Sequence, residues 1–293
     1  MTALICHYYV TLRCNDTCEF CTMWRGDGNQ GIRESGDQGL LESIRRLGVK
    51  HLNITGGEPL LREDLPDILT KAKGLGFYVS MSTNGILYAE KARLLDGKID
   101  RLYFSLDYPI AEEHDRSRGV ECFHEVIKAI KLAAELGEKP IILFTLTRDS
   151  VRFLPEMMDL ADRLKAFVFL SPVYDFYGLQ GFSVDSLQHI RYYFKRKNVL
   201  LDLAMLALIK SGGNNVLFPR CRAKETTLTI LPDGSRVSPC YFNQNGIQGK
   251  EATCSSCMRW PYMLPSLAAG FDKYFWLNQY SEMMNQFKRR KSL

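Results

Sequence analysis

The amino-acid sequence predicts an α/β fold built on a parallel sheet, and two observations carry this prediction. From residue 3 to about residue 172, short β-branched or aromatic runs alternate with segments of helical periodicity, as they do in βα units. The chain has 293 residues, and 46% of them are hydrophobic, which suffices for a large core and a small additional domain. These values exclude an intrinsically disordered chain.

Six strands are expected, with helices between them that pack one apolar face on the sheet. Residues 40–47 and 123–130 show such a face, because their apolar side chains recur at helical spacing. In parallel α/β folds, ligands bind at the carboxyl ends of the strands, so the segments just after the strands are the ones to search for a site. The strands are predicted at residues 5–12, 51–55, 77–82, 101–106, 140–147 and 167–171.

The pattern changes after residue 171. A helix capped by Ser183 and a second, apolar helix ending near Lys210 are predicted, followed by a domain boundary at residues 211–215. Residues 226–238 indicate a hairpin that turns at 232–234, and residues 271–287 indicate an aromatic-rich helix. The predicted domains are a barrel at 1–180, a helical connection at 181–215 and a cysteine-rich hairpin domain with the last helix at 216–293.

The charge and the cysteine content of the chain indicate which binding partners and which cellular compartment to expect. The net charge of +5 is only mildly basic, so no nucleic-acid partner is expected. Residues 1–9 lack the basic leader of a signal peptide, and we expect a cytoplasmic protein. Nine cysteines that cluster along the chain suit metal binding better than disulfides.

Three cysteines, Cys14, Cys18 and Cys21, form a C-x-x-x-C-x-x-C triplet directly after the first predicted strand. A structural zinc ion or a fully protein-held iron–sulfur cube takes four protein ligands. Three thiolates can hold three irons of a four-iron cluster and leave the fourth iron open to a ligand. The triplet therefore indicates a catalytic metal site more than a structural one.

Further polar segments follow the other strands. A glycine-rich turn after the second strand is most often only a turn, and the charged segment 112–119 is by itself typical of a solvated loop. Their positions after the strands make them candidates for a ligand site. The segments contain Gly56, Gly57, Glu58 and Pro59; Ser82, Thr83 and Asn84; Ser105 and Asp107; and Arg118.

The triplet, with Phe20 before its last cysteine, and the segment 56–59 together resemble the signature of the radical S-adenosylmethionine (SAM) superfamily. The resemblance implies a partial (β/α)6 barrel of the TIM type, in which SAM binds the open iron of a 4Fe–4S cluster. One electron from a flavodoxin- or ferredoxin-type donor would then cleave SAM to a 5′-deoxyadenosyl radical that abstracts hydrogen from the substrate.

The resemblance also implies roles for single residues. Phe20 lies near the adenine, Gly56 to Pro59 bind the methionyl amino group, and residues 82–84, Ser105 and Asp107 contact the ribose. Arg118 is a candidate partner of the SAM carboxylate or a structural residue. The fifth strand departs from the family pattern, because Arg148-Asp-Ser150 stands where an asparagine is common.

A second set of cysteines, Cys221, Cys240, Cys254 and Cys257, can close a metal site completely. With the hairpin turn at 232–234 it resembles the SPASM and twitch extensions, which carry auxiliary iron–sulfur clusters, although Gly234 and Cys240 are one residue further apart than the motif expects. One auxiliary 4Fe–4S cluster is predicted. A zinc ribbon is the alternative.

Three substrate classes fit a radical SAM enzyme of this composition: a sugar or aminocyclitol, a lipid-linked compound and a peptide. The aromatic residues of 271–287 precede the basic run 288–291, which suggests peripheral membrane contact. We expect instead that this helix packs its aromatic residues over the barrel mouth. A function of another class stays open, an iron–sulfur electron carrier or a zinc-binding interaction protein without radical chemistry. No catalytic acid, base or hydrogen donor is identified.

Overall fold

A computed structural model describes residues 4–21, 23–25, 34, 39–172, 183–214, 220–237, 257–268 and 270–291. All six strands expected from the sequence are present, each end within one residue of its predicted position. Three shorter strands follow them. The nine strands are β1 (Ile5–Thr11), β2 (His51–Gly56), β3 (Tyr78–Thr83), β4 (Arg101–Ser105), β5 (Ile141–Leu146), β6 (Phe167–Pro172), β7 (Val199–Leu200), β8 (Thr227–Ile230) and β9 (Arg236–Val237).

The strands form one sheet in the order β7-β6-β5-β4-β3-β2-β1-β8-β9. Neighbours from β1 to β7 pair in parallel, and β8 pairs in parallel with β1. Among the strands that the structure describes, β7 and β9 are edges that do not pair with each other, so the barrel is partial. The parallel strands bring residues 12–21, 56–59, 82–84, 105–107 and 145–147 to the same end of the sheet.

Helices cover the outer face of the sheet. In α5, Val126, Ala129, Ile130 and Ala133 recur at helical spacing and are fully buried. Ser183 caps α7 as predicted, because its hydroxyl accepts from the Ser186 backbone N–H. The helices are α1 (Leu40–Arg46), α2 (Leu65–Gly74), α3 (Tyr88–Leu95), α4 (Ala111–Arg118), α5 (Phe123–Glu135), α6 (Leu154–Arg163), α7 (Val184–Tyr192), α8 (Leu203–Lys210), α9 (Ala223–Thr226), α10 (Trp260–Leu267) and α11 (Lys273–Lys291).

The hairpin expected near residue 232 is present as β8 and β9, which pair antiparallel. Because β8 also pairs with β1, the hairpin continues the sheet of the barrel.

The last helix, α11, corrects one expectation. Glu282 Oε2 lies 3.3 Å from Arg101 Nη2, and Arg289 donates to the Asp100 carbonyl, so α11 packs at the amino end of β4 and not over the barrel mouth. Most of its aromatic side chains point to solvent, because polar side chains occupy its inner face. In the described part of the chain, every helix is too short or too polar to span a bilayer.

Candidate functional site

The cysteine triplet lies in the loop that follows β1. Cys18 is buried, and Cys14 and Cys21 are half-buried. The Asp16 backbone N–H points at Cys14 Sγ at 3.5 Å, and the Cys21 N–H donates to the Cys18 carbonyl, which folds the loop tightly. Burial raises the pKa of the Cys18 thiol to about 12. The Cys18 thiol therefore keeps its proton at neutral pH until a metal displaces it.

Gly56 and Gly57 pack the end of β2 against this loop. The Gly57 N–H donates to the Thr11 carbonyl at 2.9 Å, and the Glu58 N–H donates to the Arg13 carbonyl at 2.8 Å. A Cβ atom on either glycine would overlap a carbonyl oxygen of the loop, that of Thr11 for Gly56 and that of Arg13 for Gly57. The resemblance places both glycines at the methionyl amino group of SAM. The structure shows that they also let the end of β2 approach the cysteine loop closely.

Gly57→Ala is therefore expected to displace the cysteine loop. A methyl group that overlaps backbone atoms typically costs about 3 kcal/mol of unfolding free energy. The measurements are the urea midpoint and the iron bound after anaerobic reconstitution, both of which should fall. Gly74→Ala is the matched control, since a Cβ at the end of α2 meets nothing within 4 Å. Equal iron content in the two variants would contradict the packing role.

Glu58 ties the ends of β2 and β3 together. Its carboxylate accepts from the Leu60 N–H at 2.9 Å, the Thr83 hydroxyl at 2.8 Å and the Asn84 N–H at 2.7 Å. Burial raises the pKa of Glu58 to about 7, although these hydrogen bonds oppose the shift. A carboxylate has about four acceptor positions, so one remains for the ammonium that the sequence assigns to it.

Asn84 and Asp16 extend this framework to the cysteine loop. Asn84 Nδ2 lies 2.9 Å from Asp16 Oδ1 and 2.8 Å from Asn15 Oδ1. Asp16 is 2% exposed, and its other oxygen lies 3.7 Å from Cys18 Sγ. The side chain of Asn84 therefore positions the loop, a role that the sequence reading missed for both Asn84 and Asp16.

Arg118, at the end of α4, is the cation of this site. It is 7% exposed, its Nη2 lies 2.7 Å from Asp107 Oδ2, and its Nη1 lies 3.6 Å from Asp16 Oδ2. Nη1 also lies 3.5 Å from Cys18 Sγ, and the guanidinium stacks over the Phe20 ring at 5.6 Å. These contacts support the structural role that the sequence allowed. A contact of Arg118 with the SAM carboxylate stays a prediction.

Asp107 lines a cavity of about 290 Å³ with Phe20, Thr145 and Thr147, which we call the upper cavity. Its Oδ2 lies 2.7 Å from Arg118 Nη2, whereas its Oδ1 accepts no hydrogen bond from the described residues. A buried carboxylate oxygen without a donor is costly. The site therefore fits a ligand that brings hydroxyl donors, as the ribose of SAM would.

The remaining predicted residues are placed as follows. Pro59 is buried and begins a short 3-10 helix, and Ser105 ends β4. The Thr83 hydroxyl donates to the Glu58 carboxylate. Ser82 lies one position earlier on β3 and lines a second cavity, described below.

The donor set suits a cluster. Three thiols on one tight loop supply three ligands, and each would bind a different iron. No group of three His, Cys, Asp or Glu side chains in the described residues is arranged to hold a single metal ion. The three thiols and the Asp107 Oδ1, which lacks a donor among the described residues, together fit the cofactors that the sequence implies.

Two of the four later cysteines lie in the described residues, and Asn214 joins them. Its backbone N–H donates to the Cys257 carbonyl at 3.1 Å, and its side-chain oxygen accepts from the Cys221 N–H at 3.1 Å. The segments that carry Cys221 and Cys257 therefore meet at one buried residue, as a shared metal site requires. Cys240 and Cys254 lie outside the described residues, so the second cluster stays a prediction.

The barrel encloses a larger cavity of about 330 Å³, the lower cavity. One wall, from β1 to β3, is polar, and α10 adjoins it at His7. Leu143 of β5 and Phe169 of β6 give the cavity an apolar side. Phe20 and Thr145 line both cavities. Of the charged residues that line the lower cavity, Arg101 begins β4, Asp202 follows β7 and Glu282 belongs to α11. The polar wall contains His7, His51, Asn53, Ser80 and Ser82; the charged residues are Arg101, Asp202 and Glu282.

A continuous chain of hydrogen bonds crosses the polar wall. The Ser80 hydroxyl lies 2.8 Å from His51 Nε2 and 2.8 Å from Asn53 Oδ1, and Asn53 Nδ2 lies 2.9 Å from His7 Nδ1. His7 Nε2 lies 3.3 Å from the carbonyl oxygen of Pro261. Burial lowers the pKa of both histidines to about 4, so they are neutral at pH 7.

The sequence reading missed these cavity residues. Their signal was available, because polar side chains at alternate positions of an otherwise apolar strand face the same side. His7 lies between the fully buried Cys6 and Tyr8 of β1, and Asn53 lies between Leu52 and Ile54 of β2. This pattern indicates a barrel interior that is lined by polar side chains.

Comparison with known proteins gives one family and several relatives. A family model for the radical SAM superfamily matches residues 8–161. A probable GTP 3′,8-cyclase of Sulfolobus acidocaldarius is 36% identical over 157 residues, which are 52% of this chain and 50% of the relative. The match thus spans about half the length of that relative. A probable GTP 3′,8-cyclase of Methanococcus maripaludis is 27% identical over 81% of this chain and 85% of its own.

Two solved structures share the architecture. SuiB of Streptococcus suis bound to S-adenosylmethionine has a TM-score of 0.66 at 20% identity, over 89% of this chain and 64% of that one. anSMEcpe with bound AdoMet has a TM-score of 0.57 at 17% identity, over 95% of this chain and 84% of that one. At these identities the likeness shows the fold, and it confirms the predicted partial barrel.

Proposed function

Since this chain belongs to the radical SAM superfamily, whose enzymes use a 4Fe–4S cluster and SAM, we propose that it removes a hydrogen atom from a small polar substrate held in the lower cavity. Cys14, Cys18 and Cys21 would hold the cluster, which would supply the electron for reductive cleavage of SAM. A reduced cluster needs a reducing compartment, and we place the enzyme in the cytoplasm, with a flavodoxin- or ferredoxin-type electron donor.

The chain's own residues orient the reactants and exclude water. Glu58, Asn84 and Arg118 hold the cysteine loop against the strand ends, as their hydrogen bonds and ion pairs indicate. Asp107 accepts hydroxyl hydrogens in the upper cavity, and Phe20 forms part of its wall. Because the reactants are held in fixed positions, less entropy is lost on reaching the transition state.

The observation that carries the proposal is the position of Phe20 and Thr145. Both line the upper cavity beside Asp107, and both line the lower cavity in the barrel. A ligand in the upper cavity is therefore next to a ligand in the lower one. This is the arrangement that a hydrogen transfer between them requires.

The lining of the lower cavity supports a neutral or amine-bearing substrate. Its charged groups among the described residues are Arg101, which pairs with Glu282, and Asp202. Burial raises the pKa of Asp202 to about 6. A raised pKa is typical of a buried carboxyl without a cationic partner. A triphosphate would require several cations, so the lining favours a sugar or aminocyclitol over the GTP that the relatives' name implies.

The test is anaerobic reconstitution with iron and sulfide, followed by SAM and dithionite. We expect 5′-deoxyadenosine to form, and we expect deuterium to enter it from deuterated glucosamine but not from deuterated GTP. An intact cluster without 5′-deoxyadenosine would overturn the radical chemistry. Deuterium transfer from GTP would overturn the proposed substrate class.

A further inference from the structure

The helix α11 differs from an ordinary surface helix, because large apolar side chains face solvent while polar side chains are buried beside Tyr274, Leu277 and Met284. Its inner face contains buried polar residues, and its outer face contains large apolar residues that are 46–61% exposed. The inner residues are Asn278, Ser281, Asn285 and Lys288; the outer residues are Trp276, Tyr280, Met283 and Phe287.

The inner face is fixed by specific hydrogen bonds. Asn278 Nδ2 lies 2.6 Å from Asp202 Oδ2, the Ser281 hydroxyl accepts from the Leu203 N–H, and the Asn285 side chain bonds both backbone groups of Leu201. Rotating the helix to bury its aromatic residues would break these bonds and leave buried polar groups unpaired. The exposure of the outer face is therefore a built property of the fold.

Lys288 brings a second basic segment beside this face. Its ammonium donates to the carbonyls of Phe194 at 2.6 Å and Val199 at 2.8 Å, and the Phe194 ring lies 5.9 Å from the Tyr280 ring. Residues 191–197 and 288–291 thus lie together. They contain eight Lys or Arg residues and no Asp or Glu.

We infer that the outer face of α11 and the adjoining segment 191–197 dock on an anionic membrane surface. Exposed aromatic and Met side chains in a stripe, flanked by cations, are what an interfacial helix presents to lipid headgroups. Tyr192, 70% exposed in the adjoining segment, enlarges the aromatic surface. A protein partner would meet the same apolar stripe, but the exposed cations beside it match a continuous anionic surface best. Five of the eight are exposed, namely Arg191, Lys195, Lys197, Arg290 and Lys291, whereas Arg196 pairs with Asp162 and Lys288 is buried. The inference does not depend on the radical chemistry.

The test is co-sedimentation of the full chain with vesicles of phosphatidylcholine alone or with 30% phosphatidylglycerol, a share that should make the surface strongly anionic. We expect binding to the anionic vesicles and release at high salt. Arg290→Ser with Lys291→Ser should lower the partition coefficient about 25-fold, since each cation near an anionic surface contributes about fivefold. Trp276→Ser with Phe287→Ser should lower it at least about tenfold.

Two variants away from α11 are the matched controls. Ile110→Ser removes an exposed apolar side chain at the other end of the barrel, and Lys128→Ser removes an exposed cation from α5; neither should change binding. Equal binding to both vesicle types, or no binding, would overturn the inference. So would a dimer in sedimentation equilibrium that Trp276→Ser dissociates, because a second copy would then cover the face.

Discussion

Alanine at Cys14, Cys18 and Cys21 together is expected to abolish 5′-deoxyadenosine formation and to remove about half of the bound iron. The loss of activity follows because the proposed function assigns the open iron to this loop. About half of the iron remains if the later cysteines hold a second four-iron cluster. Iron and zinc are measured by elemental analysis after anaerobic reconstitution, and the remaining cluster is identified by its electron paramagnetic resonance signal.

Cys6→Ala is the control for this variant. Cys6 is fully buried in β1, so its removal should leave the iron content and the activity unchanged. Zinc retained in place of iron in the triple variant would show a zinc ribbon at the second site. Complete loss of both metals would show that the later cysteines hold none.

Arg118→Met is expected to cost about 3–5 kcal/mol of unfolding free energy, the cost of removing one partner of a buried ion pair. The side chain is 7% exposed and faces Asp16 and Asp107, which are each 2% exposed. Without the guanidinium, two buried carboxylates lose their cation. Urea unfolding of the metal-free protein measures the effect without contributions from the cluster.

Two further variants separate this charge effect from a general packing loss. Arg116→Met, two residues earlier on α4, removes an exposed cation and should change stability by less than about 0.5 kcal/mol. Adding Asp107→Asn to Arg118→Met should restore part of the lost stability, because one unpaired charge is removed. Equal losses in the single and double variants would contradict the ion-pair explanation.

The first six strands and their parallel arrangement could be predicted because the strands have local signals. Each of β1 to β6 is a β-branched or aromatic run bounded by turn residues, and parallel strands place their carboxyl ends together. The pairing of β8 with β1 could not be predicted, since it joins residues about 220 positions apart with no local signal. The two-residue strand β7 is too short to have a pattern.

Site residues were predictable as a set but not in their contacts. The sequence placed Gly57, Glu58 and Asn84 near the triplet, and the structure agrees. Their distances to Arg13, Thr83 and Asp16 depend on how three loops pack, which spacing does not encode. The prediction for α11 failed for a similar reason: its aromatic residues suggested a buried face, whereas hydrogen bonds to Asp202 and Leu203 decide which face turns inward.

The carbonyl of Pro261 determines which atom donates in each hydrogen bond along the polar wall of the lower cavity. A carbonyl oxygen accepts only, so His7 carries its proton on Nε2, and its Nδ1 accepts from the Asn53 amide. The Asn53 oxygen then takes the Ser80 hydroxyl hydrogen, and Ser80 accepts from Nε2 of His51. His51 is left as a neutral ring whose Nδ1 bears a lone pair. One backbone carbonyl in α10 thus selects a single tautomer for two histidines on different strands.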